Sequence, residues 1–373
     1  VATPAEILAL EQAHRAAQAR LGLAAAFVAL VEWENVQPLN AASTSSDWLV
    51  KSLLVITAIR KMSRKLAISY YQLARAVETG RTLGVPEGST PDNVTLGTLR
   101  KNFRDNVIDV AALPSTRTRS DDPDIQWFEE ALRAADESSR SIRMPDLRVD
   151  PLIQKLLDVE GTNDTSPVEI DKYEWEDPMT FEEVDRTYRR LLRQQAVEHT
   201  IASVELIRAN EDLSPSLALE QIEASHAASA SLGSGSVDMA GIDAGREAID
   251  AAVRSDTLVK LVARGTGPDP CAFCAMLASR GFVFTGATSG VGANADQSVG
   301  EEIKKYHIHC KCYPIVRWVH ASTLPELNAY FKEKWTDVTD GFHGNEARKK
   351  WRRWIYAQRK ANPDAPHGVP INP

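Results

Sequence analysis

Residues 257–281 read TLVKLVARGTGPDPCAFCAMLASRG, and at this point the pattern of the chain changes. "TLVKLVAR" (257–264) alternates and carries Val and Leu, as a strand does. "GTGPDP" is a turn. "CAFCAMLASRG" reads as a short helix, with Asp269 as its N-cap, Pro270 at the first helical position and Gly281 just past its end. Beyond it, "FVFTG" (282–286) reads as a strand, "ATSGVGANADQSVG" (287–300) as a Gly/Ser-rich loop and "IHCKCYPIVRWV" (308–319) as a final strand.

Upstream, the period is helical. "TPAEIL" (3–8) is a helix start: Thr3 caps, Pro4 suits the first position and Glu6 completes a capping box. That helix should run to about Glu34, where "QPLNAASTSS" (37–46) breaks it. A second helix is predicted over 47–79, with Leu49, Leu53, Ile56 and Ile59 on one face and Gly80 closing it. From 84 to 180 the pattern weakens. Short helices near 97–111 and 123–139 stand between loops, and an extended arm fits as well as a packed domain. Thr180 and Glu183 form another capping box, and Val184, Leu191, Ala202 and Leu206 follow at helical spacings. Ser214 starts a further helix, "GSGS" (233–236) reads as a hinge, and 237–256 as the last long helix.

The predicted class is therefore α+β, an elongated and mostly helical N-terminal region followed by a small α+β domain. The expected divisions are 1–83 (helical), 84–179 (loop-rich with short helices), 180–256 (helical), 257–320 (α+β with the Cys/His cluster) and 321–373 (a basic, Trp-rich tail). The 373 residues carry a net charge of −8, which argues against wholesale coating of nucleic acid but leaves room for a local basic patch. No transmembrane helix and no signal peptide are expected, and a reducing cytoplasm would disfavour disulfides.

All four cysteines lie in two tight pairs, Cys271/Cys274 and Cys310/Cys312, with His307 and His309 beside the second. Zinc takes four thiolate or imidazole ligands in a tetrahedron. Two Cys separated by two residues can reach one ion, and so can two at i and i+2 on one strand face. His307 would point the other way unless the chain bends near Ile308. A disulfide staple, a redox pair at a helix N-terminus and plain buried cysteines remain as alternatives. The zinc-deaminase reading fails because no H-x-E occurs anywhere in the chain. Also absent are HExxH, G-x-S-x-G and the P-loop motif, and "GVG" (290–292) lacks the context of a nucleotide loop. His14, His199 and His226 fall on helices with no spaced partner, and surface or boundary roles are expected for them. His320 and His343 lack a motif. In the tail, "EARKKWRRWIYAQRK" (346–360) is interleaved with aromatics. As a helix it puts Trp351, Trp354 and Ile355 on one face. Arg348, Lys349, Lys350, Arg352 and Arg353 fill the rest, a surface for a partner or for DNA phosphates, unless the helix packs on its own domain.

A helical region, a strand, "DPCAFC", a short helix ending in Gly, then "HIHCKCYP" resembles the phage Mu F-like head morphogenesis family. Cys271, Cys274, His307, Cys310, Cys312 and Pro314 match its pattern one by one, and His309 is extra. The likeness covers about 240–320, with weaker helical similarity from about 180. It implies a minor capsid protein of a tailed phage acting in procapsid assembly. Its partners would be the portal protein and the major capsid or scaffold protein, with DNA reached through the basic tail and no membrane contact. The expected places are the host cytoplasm during assembly and then the virion, in the capsid interior. The metal would be a structural Zn2+ held by Cys271, Cys274, Cys310 and Cys312, with His307 as the alternative to the fourth Cys. Some relatives are labelled capsid maturation proteases, which makes cleavage of coat or scaffold the alternative activity, though no nucleophile–base set stands out.

Overall fold

The structure, a computed structural model, describes residues 4–114, 120–138, 162–266, 270–282, 312–319 and 324–361. Thr3, most of "FVFTG", the 287–300 loop, His307, His309, Cys310 and His320 lie outside these residues.

Helix α1 (Pro4–Trp33) leads through a single helical turn, α2 (Ala41–Thr44), into α3 (Ser46–Thr79). By length and composition α1 could cross a membrane. Here it is a core helix instead, with Leu21, Ala24 and Ala25 completely buried. Its alanines let neighbouring helices approach closely. Gly80 ends α3 in the left-handed region (φ +73°) and donates its N–H to the Ala76 carbonyl at 2.8 Å.

The described residues of the middle region pack against the helices. Strand β1 (Arg81–Leu83) pairs in parallel with β2 (Glu169–Asp171), a pair the sequence pattern did not reveal. Between them lie α4 (Leu96–Ala111), capped by Thr95, and α5 (Pro123–Ser138). Leu99, Phe103, Val107 and Val110 of α4, with Phe128 and Leu132 of α5, join the same core as α1 and α3. The extended-arm reading of these helices is thereby corrected.

Helix α6 (Phe181–Leu192) opens on the anticipated Thr180/Glu183 capping box. A π-helical stretch, Arg193–Glu198, carries it into α7 (His199–Arg208). Val184, Tyr188, Leu192, Ala196, Thr200 and Val204 are buried. A strict four-residue step drifts around a 3.6-residue helix, and the wider π turn compensates. The expected face through Ala202 and Leu206 is consequently exposed.

The predicted hinge does not exist. Helix α8 (Pro215–Ser255) runs unbroken through residues 233–236 after its Ser214 cap. Its glycines are sites of close approach. A Cβ on Gly233 would sit 2.8 Å from the Trp48 ring, and one on Gly241 would sit 2.5 Å from Ile59 Cγ2. At Gly245 it would meet the Ser63 carbonyl at 2.9 Å. Together α1, α3 and α8 form the central layer.

Strand β3 (Leu261–Gly265) starts later than anticipated and pairs antiparallel with β4 (Tyr313–Arg317), Val262 opposite Val316. Between them in sequence lies α9 (Ala272–Ser279), whose N-cap is Cys271 rather than Asp269. Two further helices follow, α10 (Glu326–Thr339), which was not anticipated, and α11 (Gly344–Ala361). They enclose a second apolar cluster with α9, built on Ala275, Leu277, Phe331, Trp351 and Ile355.

Buried ion pairs join the β-ribbon to the helical layer. Asp256, at the C-cap of α8, accepts from Arg75 Nε at 2.8 Å, Tyr71 Oη at 3.0 Å and Trp318 Nε1 at 2.8 Å. Arg317 of β4 pairs with Glu11 of α1, and all four side chains of the two pairs are buried. Burial alone would raise the Asp256 carboxyl; the Arg75 and Trp318 hydrogen bonds outweigh it and hold it below its ordinary value.

Candidate metal centre and the helix behind it

Cys271 is extended at the N-cap of α9, so its sulfur can cap the helix. Its Sγ accepts the Cys274 N–H at 3.3 Å. Cys274 follows within the first turn and is buried. Cys312 is the residue before β4, and the β3–β4 register, Gly265 opposite Tyr313, carries it to the same place. The three cysteines pack on one another, Cys274 and Cys312 each 2% exposed and Cys271 half-buried. Two separate segments therefore bring three cysteines into one cluster. A backbone N–H and a helix N-terminus supply positive potential there.

That donor set fits the thiolate chemistry of zinc, which needs a fourth ligand. Among the described residues, no group of three or more His, Cys, Asp and Glu side chains is placed to hold a metal ion. The remaining sequence candidates, Cys310 and His307, precede Cys312 and lie outside the described residues.

The surroundings hold the knuckle from several sides. Arg246 of α8 donates from Nε to the Cys312 carbonyl at 2.9 Å, and it is ion-paired with Asp243 at 2.6 Å. Asn328 of α10, buried, donates to the carbonyls of Arg264 (2.8 Å) and Ala278 (3.1 Å), tying β3 to α9. From α11, Trp351 Nε1 donates to the Ala272 carbonyl at 2.8 Å and Arg359 to the Pro270 carbonyl at 2.9 Å. Those two carbonyls flank Cys271. A cavity of about 20 Å³, lined by His14, Gln18, Arg246 and Cys312 among others, reaches the other side and has room for one water.

The tail residues singled out in the sequence separate by face. Trp351 is buried and stacks on the half-buried Trp354, with ring centroids 5.0 Å apart. Arg348, Lys349, Lys350, Arg352 and Arg353 are exposed. Lys350 lies over the Phe342 ring at 3.4 Å. The apolar side of α11 is thus occupied by its own chain, and the cationic side is open.

The histidines divide differently from expectation. His14 is core, not boundary: its ring stacks on Tyr70 at 4.3 Å and sits 3.2 Å from Gln18 Nε2. Burial lowers its pKa to about 3. Nothing in single-residue spacing distinguishes such a histidine from a surface one. His226 stacks on Trp33 at 5.3 Å, and burial lowers its pKa too. His199 Nδ1 lies 2.8 Å from Ser229 Oγ, a distance a nucleophile–base pair would have. Ser229 is fully buried and donates its hydroxyl to the Ser225 carbonyl at 3.0 Å, so no substrate carbonyl can reach it. The pair joins α7 to α8. A cleft of about 520 Å³ at the end of α3 is lined by Glu6, Glu78, Arg100 and Asp164. Its Arg100 already pairs with Glu6 and Asp164, each at 2.8 Å.

Residues 176–338 match the family model described as VG15 protein. It is a phage protein family. The matched segment runs from just before α6 through the cysteine centre and nearly to the end of α10. It therefore includes Cys271, Cys274 and Cys312. No curated protein and no solved structure matches the chain. The match covers less than half of the chain and suggests a phage protein, without singling out the Mu F-like family.

Proposed function

We propose that this chain is a structural component of a tailed-phage head, a minor capsid or head morphogenesis protein that works in procapsid assembly beside the portal. The observation that supports the reading is the convergence of Cys271, Cys274 and Cys312 within the segment that matches a phage protein family. This is the arrangement that the Mu F-like resemblance requires of these positions. Zinc would be held by the three sulfurs with Cys310 or His307 as the fourth ligand. Bound there, the metal would cross-link the start of α9 to β4 and leave no position open for a water. Small α+β modules with few buried side chains gain much of their stability from such a link.

The test has two parts. The purified chain should carry about one zinc, bound with loss of thiol titre. A phage with the reading frame interrupted early should accumulate aberrant or empty heads, and the protein should be present in purified wild-type procapsids. Normal infectious particles without the protein would overturn the assembly role. A metal-free chain with all four thiols titratable would overturn the zinc link.

A further inference from the structure

Two surfaces carry opposite charges that the described residues do not neutralise. The first is a two-helix arm. Beyond Val204 on α7 and before Ile222 on α8 the side chains turn to solvent. Glu205, Glu211, Asp212, Glu220 and Glu223 are all exposed there, and Arg208 is the lone cation among residues 205–223. Exposed leucines stand among these acids: Leu206 is 74% exposed and Leu219 55%. The second is the open side of α11. Lys349, Arg353, Tyr356 and Lys360 follow at helical spacing and share one face, flanked by Arg352 and Arg348. Tyr356 is 56% exposed. Arg280, exposed at the end of α9, lies close enough to Arg348 for the two charges to repel. Among the described residues, none of these five acids and none of Arg348, Lys349, Arg352 and Arg353 forms an ion pair within the chain.

Like charges three and four residues apart disfavour a helix, and solvated helix faces normally interleave the two signs. Here each face is predominantly of one sign, with Arg208 the exception on the arm and Glu346 the exception on α11, and each has an apolar residue set in it. Among the described residues the two are not packed on each other. The arm springs from α6, the π stretch and the central layer, whereas α11 packs on α9 and α10.

We propose that the acidic arm of one copy docks on the basic face of α11 of another. Each chain offers both halves, so the contact is head-to-tail. Such a contact closes into a ring when the rotation per copy divides a full turn, and otherwise grows as a filament. Leu206 or Leu219 would cover Tyr356, and the surrounding ion pairs would fix register more than affinity.

The experiment uses the purified full chain in sedimentation velocity across concentration and salt. Self-association is expected at low salt and should weaken steeply as salt rises. Lys349→Glu with Arg353→Glu should weaken it about tenfold or more, and Glu220→Lys with Glu223→Lys should do the same. Mixing the two reversed variants should restore a complex between them, and circular dichroism should show both folded. A chain that stays monomeric under all conditions overturns the proposal. So does association that the charge reversals leave unchanged. Binding of a duplex oligonucleotide by the basic face, with no self-association, would overturn it in favour of DNA. Because the assay needs neither phage nor metal, its failure is distinct from failure of the head-assembly reading.

Discussion

Replacing Gly233 with alanine distinguishes a hinge from a packed contact. If residues 233–236 were a solvent-exposed joint, the alanine would stabilise the helix by about 1 kcal/mol through its better helix propensity. The structure reverses that sign. The new Cβ would stand 2.8 Å from Trp48 Cζ2 and 3.0 Å from the Ala196 methyl. Trp48 cannot readily give way. Its indole donates to the Ala29 carbonyl at 2.9 Å, and its ring meets Trp33 edge-on at 4.7 Å. Overpacking of this kind costs about 1–3 kcal/mol. Displacing the indole hydrogen bond adds roughly 1 kcal/mol. Set against the propensity gain, the net should be a loss of about 1–3 kcal/mol. Urea titration followed by tryptophan fluorescence and far-UV circular dichroism gives the midpoint. A lower midpoint with unchanged slope is expected. Combining Gly233→Ala with Trp48→Leu, which makes room for the methyl, should cost less than the sum of the two single changes. A midpoint raised by Gly233→Ala, or strict additivity in the pair, would refute the close-contact reading and restore the hinge.

Three other outcomes follow from individual contacts. His14 is held neutral by burial, with its pKa near 3, whereas the unfolded chain takes up a proton below about 6.5. Its contribution is therefore full above pH 6.5 and falls with acidification by about 1.4 kcal/mol per unit, or roughly 2 kcal/mol by pH 5. His14→Phe should keep the stack on Tyr70 and flatten the stability profile between pH 7 and 5; an unchanged slope would contradict the buried-neutral assignment. Asp256→Asn leaves Arg75 with Asp171 as its one charged partner and should cost about 1.5–3 kcal/mol by denaturant midpoint, with no measurable change refuting the junction. Trp351→Phe removes the donor to the Ala272 carbonyl. In metal-free protein it should speed labelling of Cys271 by a thiol reagent, while Arg352→Ala on the exposed face should leave the rate unchanged.

Local rules carried the helices well and the side-chain roles poorly. Capping residues such as Thr180, Glu183 and Ser214 act over three or four positions, so the helix starts they mark appear where the sequence places them. Gly80 likewise stops α3, because its left-handed conformation is a local requirement. The glycines of α8 show the limit. A glycine in a loop and one pressed against Trp48 look alike in one dimension, and only the partner helix tells them apart. A better signal was the spacing of Gly233, Gly241 and Gly245 by multiples of four, which keeps glycines on one helix face.

The cysteine pairs were conspicuous because thiols are scarce and here come in twos, yet their neighbours were not. The donors from Arg246, Asn328, Trp351 and Arg359 reach the backbone around Cys271 and Cys312 from residues 50 to 89 positions away. No spacing rule spans that distance. This also changes what the basic tail is for. Its aromatic face, read as a docking surface or as internal packing, is seated behind the cysteine centre through Trp351. Its cationic face remains exposed. A single helix thereby supports the centre from within and offers charge outward, so a substitution on one face need not disturb the other. That separation allows the charge reversals on α11 to report on association without unfolding the centre.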